Sequence, residues 1–366
     1  MKKRRLFVVW ILVIATIFVG CKKSNTSSSG SSSDSLVNEK QAIRVAENYM
    51  KYLSRNDYEN ARKLCSSKLA NKTQELQDTD LSIVDFSVSE INQSGKSAII
   101  KAKVNRLKQG VPRADIDTFS IKVSKQQGDV YEIDEVKAET LVEAFVEGES
   151  IKLKSKDEPK AKLVIAMKDL PKDMYPKTNE ANILKKEIPA KEFTAINFTI
   201  SGQRMGISTK DGSRSFVGIL EVEDAVPTAS SQSGSGSSGG GDGQDQKQQE
   251  DPDKKPLAKK VKAVDIYDNG IVQKIMFSQD ENYMAVQYLE NNVANRLKAY
   301  SVASGSMLEA NFDKIFPADK YELVFSKFTK TEMFFEVKGV SGRTDVRQDV
   351  LGMYKLDFKE LKIDKV

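Results

Sequence analysis

Three stretches in the C-terminal half of the chain repeat one pattern, and that repetition constrains the fold more than any other feature. "FTAINFTISGQRMGISTKDGSRSFVGILEVED" starts at Phe193, "VQKIMFSQDENYMAVQYLENNVANRLKAYSVASG" at Val272, and "YELVFSKFTKTEMFFEVKG" at Tyr321. Each opens with an apolar strand ending at Phe198, Phe277 or Phe325. A polar turn leads to a second strand around Met205, Met284 or Met333, and a third contains Leu220, Ala299 or Met353. Phe277 and Phe325 stand 48 residues apart. Phe198 and Phe277 stand 79 apart, or about 50 once a low-complexity insert of roughly 30 residues is set aside. A unit of three or four short strands cannot bury both faces alone, so the copies must pack on one another.

The turns "FTISGQRMGI", "FSQDENYMAV" and "FSKFTKTEMFF" resemble the "F-S-P-D-G-K-x-I-A" strand-turn-strand of TolB-like and WD-repeat-like propeller blades. The first lacks the Asp, the second the Gly, and the third both. The resemblance implies an all-β domain of about three propeller-like repeats over residues 141–366, an incomplete or irregular propeller. A closed ring needs about four to eight blades. "AKLVIAMKDLPKDMY" from Ala161 is a candidate degenerate extra strand set, and an ordinary antiparallel sheet domain is the alternative architecture. The Gly/Ser/Gln/Asp-rich insert at 226–259 has no apolar residue able to seed a core and reads as a disordered loop within the repeat array.

Residues 36–140 read differently. Val37, Ala42, Val45, Ala46, Tyr49, Met50 and Leu53 recur at helical spacing after Ser35, a candidate cap, and a second helix is expected after Asp57. "LSIVDFSVSEI", "SAIIKAKVNRL", "DTFSIKVSK" and "VYEIDEVKA" then alternate with period two, which predicts four antiparallel strands under two helices. The element order and the run "AENYMKYLSRNDYENARKLCSS" resemble the nuclear-transport-factor-like, cystatin-related cone fold of bacterial lipoproteins. That resemblance implies an α+β cone-like domain with a pocket between helices and sheet. Some members place an Asp and His pair there, which this chain cannot supply.

The N-terminus sets the expected location. Lys2, Lys3, Arg4 and Arg5 precede a 15-residue apolar run, Leu6 to Gly20, and then Cys21. The run is short of the about 20 residues that span a membrane and suits a signal-peptide core. The pattern resembles the bacterial lipoprotein signal, with residues 1–20 removed, Cys21 lipidated and residues 21–35 a Ser-rich flexible tether. The folded part is then extracytoplasmic, anchored to the cell membrane. Four of the 57 Lys and Arg residues and no acid lie in that leader, so the remainder carries 53 bases against 52 acids. A nearly neutral chain gives no reason to expect a nucleic-acid partner.

The chain has no histidine, which removes Ser-His-Asp and Cys-His catalysis and histidine-ligated zinc. Cys65, the one cysteine beyond Cys21, lies on a helical face with Ala61, Leu64 and Leu69 and reads as core. Gly239 to Gly243 is low complexity, and the acids at Asp78 and Asp115 lack the spacing of a calcium loop, so no cofactor or metal is expected. "LPKDMYPK" from Leu170 fits either packing on the sheet or contact with a partner. The candidate pocket acids are Asp85, Asp115, Asp117, Asp134 and Glu135, although isolated acids on half-exposed strands read by default as a solvated face. The expected function is a non-enzymatic binding or scaffold lipoprotein for an envelope protein or polymer. The alternatives are a histidine-free, carboxylate-dependent hydrolase and a solute-binding lipoprotein.

Overall fold

The computed structural model describes residues 36–71, 80–175, 184–223 and 255–366. Cys21, the leader and the tether lie outside them, as does the insert up to 254.

Helix α1 (Glu39–Ser54) starts at Asn38, whose side chain accepts the Gln41 N–H at 3.2 Å, three residues beyond the expected cap at Ser35. Asn38 wins because its carboxamide reaches a free N–H of the first turn. The chain leaves the helix through Asn56 at φ 57°, and Asp57 caps α2 (Tyr58–Arg62) as expected. The second helix stops early and resumes as α3 (Ser67–Ala70). Between them Cys65 and Ser66 pair with Ile133 of the sheet, and those backbone bonds displace the helical ones. Cys65 is buried beside Ala61.

Strands β1 (Leu81–Ser94), β2 (Ser97–Lys108), β3 (Arg113–Lys125), β4 (Tyr131–Glu147), β5 (Ser150–Ser155) and β6 (Lys162–Ala166) form one antiparallel meander. The sheet has six strands, two more than expected. β4 runs unbroken through position 140, where the sequence reading divides the two parts, because Val142 and Ala144 continue the buried alternation. β6 takes the segment read as a degenerate blade. α1 covers one part of the sheet, packing on Ala98, Ile100, Ala102, Val104, Phe119 and Ile121. Leu107, Ala114, Ile116, Val142 and Ala144 belong to a different core, shared with the repeats.

After two short strands, β7 (Asp173–Met174) and β8 (Lys186–Glu187), three blade-like sheets follow. The first contains β9 (Glu192–Phe198), β10 (Arg204–Asp211), β11 (Arg214–Val222) and β12 (Ala258–Tyr267) in neighbouring order. The second has β13 (Gly270–Phe277), β14 (Tyr283–Glu290) and β15 (Ala294–Ser301). A short helix, α4 (Phe312–Ile315), leads to the third, made of β16 (Tyr321–Phe328), β17 (Glu332–Gly339), β18 (Gly352–Asp357) and β19 (Ile363–Lys365). The insert therefore joins two paired strands of one blade, and its last residues, Ala258 and Lys259, belong to β12.

The register places Met205 opposite Phe198 and Met284 opposite Phe277. In the third blade Met333 faces Phe328, not Phe325, because that hairpin is two residues shorter.

The methionines all point the same way along the array. Met205 and Ile207 pack on the N-terminal sheet; Met284 and Val286 pack on the first blade; Met333, Phe335 and Val337 pack on the second. The order is thus sheet, blade one, blade two, blade three. Buried amides stitch each step. Asn105 Nδ2 donates to Phe198 O at 2.9 Å, Asn197 Nδ2 to Ile275 O at 2.8 Å, and Gln287 Oε1 accepts the Phe325 N–H at 3.0 Å. Satisfying otherwise stranded inner-strand groups in this way fixes the register of neighbouring blades.

Candidate functional site

The five candidate acids do not come together. Asp115 and Asp117 lie two apart on one face of β3, buried, but arginines surround them. Arg106 Nε is 2.5 Å from Asp117 Oδ2, and Arg113 Nη2 lies 3.2 Å from both Asp115 Oδ2 and Glu143 Oε1. Burial, opposed by Arg106, raises the Asp117 carboxyl above its usual range. A carboxylate held this way has little freedom to accept a substrate proton; its chemistry is that of a structural ion cluster. Asp134 accepts from Ser124 Oγ beside the helix-covered core. Glu135 is exposed and pairs with Lys137 at 2.8 Å, which lowers its carboxyl.

Asp85 stands at the joint between β1 and the blades. Burial pushes its carboxyl up to about 7, opposed by the Phe86 N–H at 2.8 Å, with Glu281 adding a like charge. The turn between β13 and β14 reaches this joint, where Gln279 Nε2 donates to Phe86 O at 2.7 Å. Glu281, at φ 58°, accepts the Ser201 N–H at 2.7 Å and sits 3.3 Å from Arg204 Nη1. Lys103 Nζ donates to Ser201 O at 3.4 Å. The repeated turns of blades one and two thus clasp β1 and β2.

At the other end of the inner strands lies an open cleft of about 480 Å³. The turn between β2 and β3 (Gln109, Gly110, Pro112) forms one wall. The starts of β9 (Phe193, Thr194) and β13 (Ile271 to Lys274) form the floor, and Gln287, Asn295 and Val324 close the far side. This volume falls within the range of small-ligand and peptide sites. Lys274 enters through a bulge between Val272 and Lys274 and also lines a smaller neighbouring recess with Val84, Leu107, Ala195 and Ile196. Burial among these apolar groups lowers its amine below the usual lysine range. Glu192 at the rim is occupied by Lys210 at 3.2 Å.

Sequence reasoning missed every residue of this cleft. A signal was present: Gln273 and Lys274 interrupt the otherwise apolar strand "GIVQKIMF". Their meaning depends on the bulge and on the distant β2–β3 turn, which the local pattern does not reveal. The loop from Leu170 splits its roles, with Met174 buried and Tyr175 exposed. Among the described residues no helix is long and apolar enough to cross a membrane.

No family model matches the chain, and no curated protein matches it. Among solved structures it is similar to a putative TolB from Agrobacterium tumefaciens, at 10% identity and a TM-score of 0.31, over 77% of this chain and 80% of that one. It is also similar to TolB from Acinetobacter baumannii, at 9% identity and a TM-score of 0.29, over 80% of this chain and 59% of that one. A puromycin hydrolase matches at 8% identity and a TM-score of 0.32, over 75% of this chain and 45% of the enzyme. Likeness at these values carries no functional argument, and the blade-like description rests on strand order, register and burial.

Proposed function

We propose that the chain is a membrane-anchored, extracytoplasmic lipoprotein, tethered through Cys21, that binds an envelope protein or polymer without catalysing a reaction. The observation that carries this reading is the cleft. Its walls come from the N-terminal sheet and all three blades, and these share buried cores and amide contacts, so the site is pre-formed. Pre-formed concave surfaces lose little ordering entropy on binding. A carboxylate-dependent hydrolase would need two acids about 5 to 9.5 Å apart around an accessible bond. The paired acids are instead buried under arginines, and Asp85 stands at a different joint.

The test is in-cell photocrosslinking from the exposed position Gln273, with exposed Lys338 of blade three as the control site and Cys21→Ala as the unanchored control. The expected result is one dominant envelope adduct from Gln273, absent from Lys338 and lost in Cys21→Ala. Equal adduct patterns at both sites, or Cys21→Ala protein that keeps membrane fractionation and palmitate labelling, would overturn the reading.

A further inference from the structure

The end of the N-terminal sheet at which the chain enters the fold carries two apolar side chains in water. Leu36, the first described residue, is 71% exposed, and Val130, in the turn between β3 and β4, is 55% exposed. Backbone bonds gather their neighbours at one tip. Val37 N–H donates to Gly95 O at 3.1 Å, Lys125 N–H to Lys96 O at 2.8 Å, Gln126 N–H to Val130 O at 2.9 Å, and Asn38 N–H to the Tyr131 hydroxyl at 3.0 Å. The core under α1 takes Val37 and Tyr131 and leaves Leu36 and Val130 outside. The turns stand clear of the rest of the fold, since a Cβ on Gly95 or Gly128 would meet nothing within 4 Å. Charge nearly cancels over residues 36–40, 94–97 and 125–131. Lys40, Lys96 and Lys125 stand against Glu39 and Asp129, and Lys125 Nζ lies 3.1 Å from Asp129 Oδ1.

Apolar residues scattered over a surface need no explanation, but a near-neutral apolar tip at the entry point of an anchored chain has a particular neighbour. Fifteen residues, Cys21 to Ser35, separate the lipidated position from Leu36, a reach of at most about 54 Å. The bilayer is therefore within range, and contact with it is intramolecular, so a weak apolar contact suffices. Protruding turns offer a protein partner no groove, whereas the interfacial layer of a bilayer accepts apolar side chains without a shaped counterpart. We propose that this tip docks on the lipid bilayer, with Leu36 and Val130 set into its interfacial layer. β2 then leads from Ser97 at the tip to Lys108 beside the cleft, a rise of about 36 Å, and holds the cleft at the end remote from the membrane. This inference rests on the lipid anchor at Cys21 and deepens that reading by giving the anchored head a fixed orientation.

The test uses the full chain, extracted from cell membranes and reconstituted in phosphatidylcholine vesicles. A nitrobenzoxadiazole label is placed on Gln127→Cys at the tip or on Gln109→Cys beside the cleft. Both positions are exposed, and Cys65 is buried. A doxyl-labelled lipid should quench the tip label at least about threefold more than the cleft label, with blue-shifted emission at the tip alone. Adding Leu36→Glu and Val130→Glu should bring the two labels level, because a carboxylate resists transfer out of water. The thermal midpoint should not move, since neither side chain packs on the head. Equal quenching of the two labels in the parent protein, or an unchanged ratio in the double variant, would overturn the inference. So would a protein adduct, in place of lipid, on photocrosslinking from Gln127 in cells. Acylated protein with level labels would defeat the docking alone. Protein whose mass shows no acyl group on Cys21 would defeat the anchor reading and this inference together.

Discussion

Blades one and two differ from blade three at structurally equivalent positions, and the difference tells how the array ends. Residues after the repeated methionines point forward, away from the N-terminal sheet. They are Gly206, Ala285 and Phe334. Gly206 lies directly under blade two: a Cβ there would come 2.6 Å from Ile275 Cγ2 and 3.0 Å from Phe277 Cζ. Ala285 is fully buried in the core shared with blade three. Phe334 is half-buried with Lys327 over its ring at 4.7 Å, and Lys338, further along the same strand, is exposed. β10 and β14 are buried along consecutive residues, as in strands covered on both faces, whereas β17 alternates between buried and partly exposed. Blade three is therefore a terminal repeat with a polar outer face, and the six-stranded sheet caps the opposite end.

The comparison is most sharply broken at Gly206. Gly206→Leu should destabilise by about 3 kcal/mol, because the side chain must displace Ile275 and Phe277 from a packed joint. Phe334→Leu, the matching position on blade three, should cost less than about 1 kcal/mol. Urea unfolding of the two variants measures both. Similar losses would mean that blade three also carries a buried forward face.

A second test concerns the N-terminal joint. Asp85 has an ordinary carboxyl affinity when unfolded, but its folded pKa is about 7. The folded state then binds more protons between about pH 4 and pH 7, so its contribution is fully present below that window and is lost as pH rises through it. Asp85→Asn should flatten this slope and stabilise the protein at pH 8 by about 2 kcal/mol, roughly half the full linkage value to allow for partial exposure. Thermal midpoints across pH 4 to 8 decide it, and a wild-type midpoint that does not fall over this range would refute the assignment. The charge pairs on blade three should give no such slope.

These sites differ in how far they can be read from sequence. The Phe and Met rhythm reveals three blades because each blade is a local meander whose register depends on short turns. The rhythm misplaces Phe325, where a shorter turn shifts the pairing to Phe328, and it misses the third-strand register, since the partners of Met284 and Met333 are Tyr300 and Leu356 and not Ala299 and Met353. The alternation of β2 and β3 likewise shows the sheet, yet it cannot show that Leu107 and Ile116 serve a different core from Ile100 and Ile121. That division depends on which partner covers each part, and the partners, α1 and β9, are distant in sequence. The early end of α2 and the cleft at Lys274 fail for the same reason, since Ile133 and the β2–β3 turn are distant in sequence. Asp85 could be named as a candidate, but its role at a joint with Gln279 could not.

The insert offers a smaller test, inside blade one. It separates β11 from β12, yet those strands pair as neighbours, Leu220 with Val261. Deleting Ser230 to Gln249 shortens the closing loop by a little over half. On the loop-closure estimate that should shift stability by no more than about 0.7 kcal/mol, in the stabilising direction. A large drop in the thermal midpoint would show that the segment packs on the blade.

The smallest effect is expected at the far end of the array. Lys355 Nζ lies 2.6 Å from Glu332 Oε1 across β17 and β18, on the face that no further blade covers. Because both groups keep access to water, the attraction is screened and offset by the entropy of holding two long side chains. Glu332→Gln should therefore change unfolding free energy by less than about 0.5 kcal/mol, and raising salt from 0.05 to 1 M should remove what difference there is. A fourth blade or a permanently bound partner on this face would desolvate the pair, and the same substitution would then cost about 3 kcal/mol with little dependence on salt. The urea midpoint of this single variant at two salt concentrations thus tests whether the array stops at blade three.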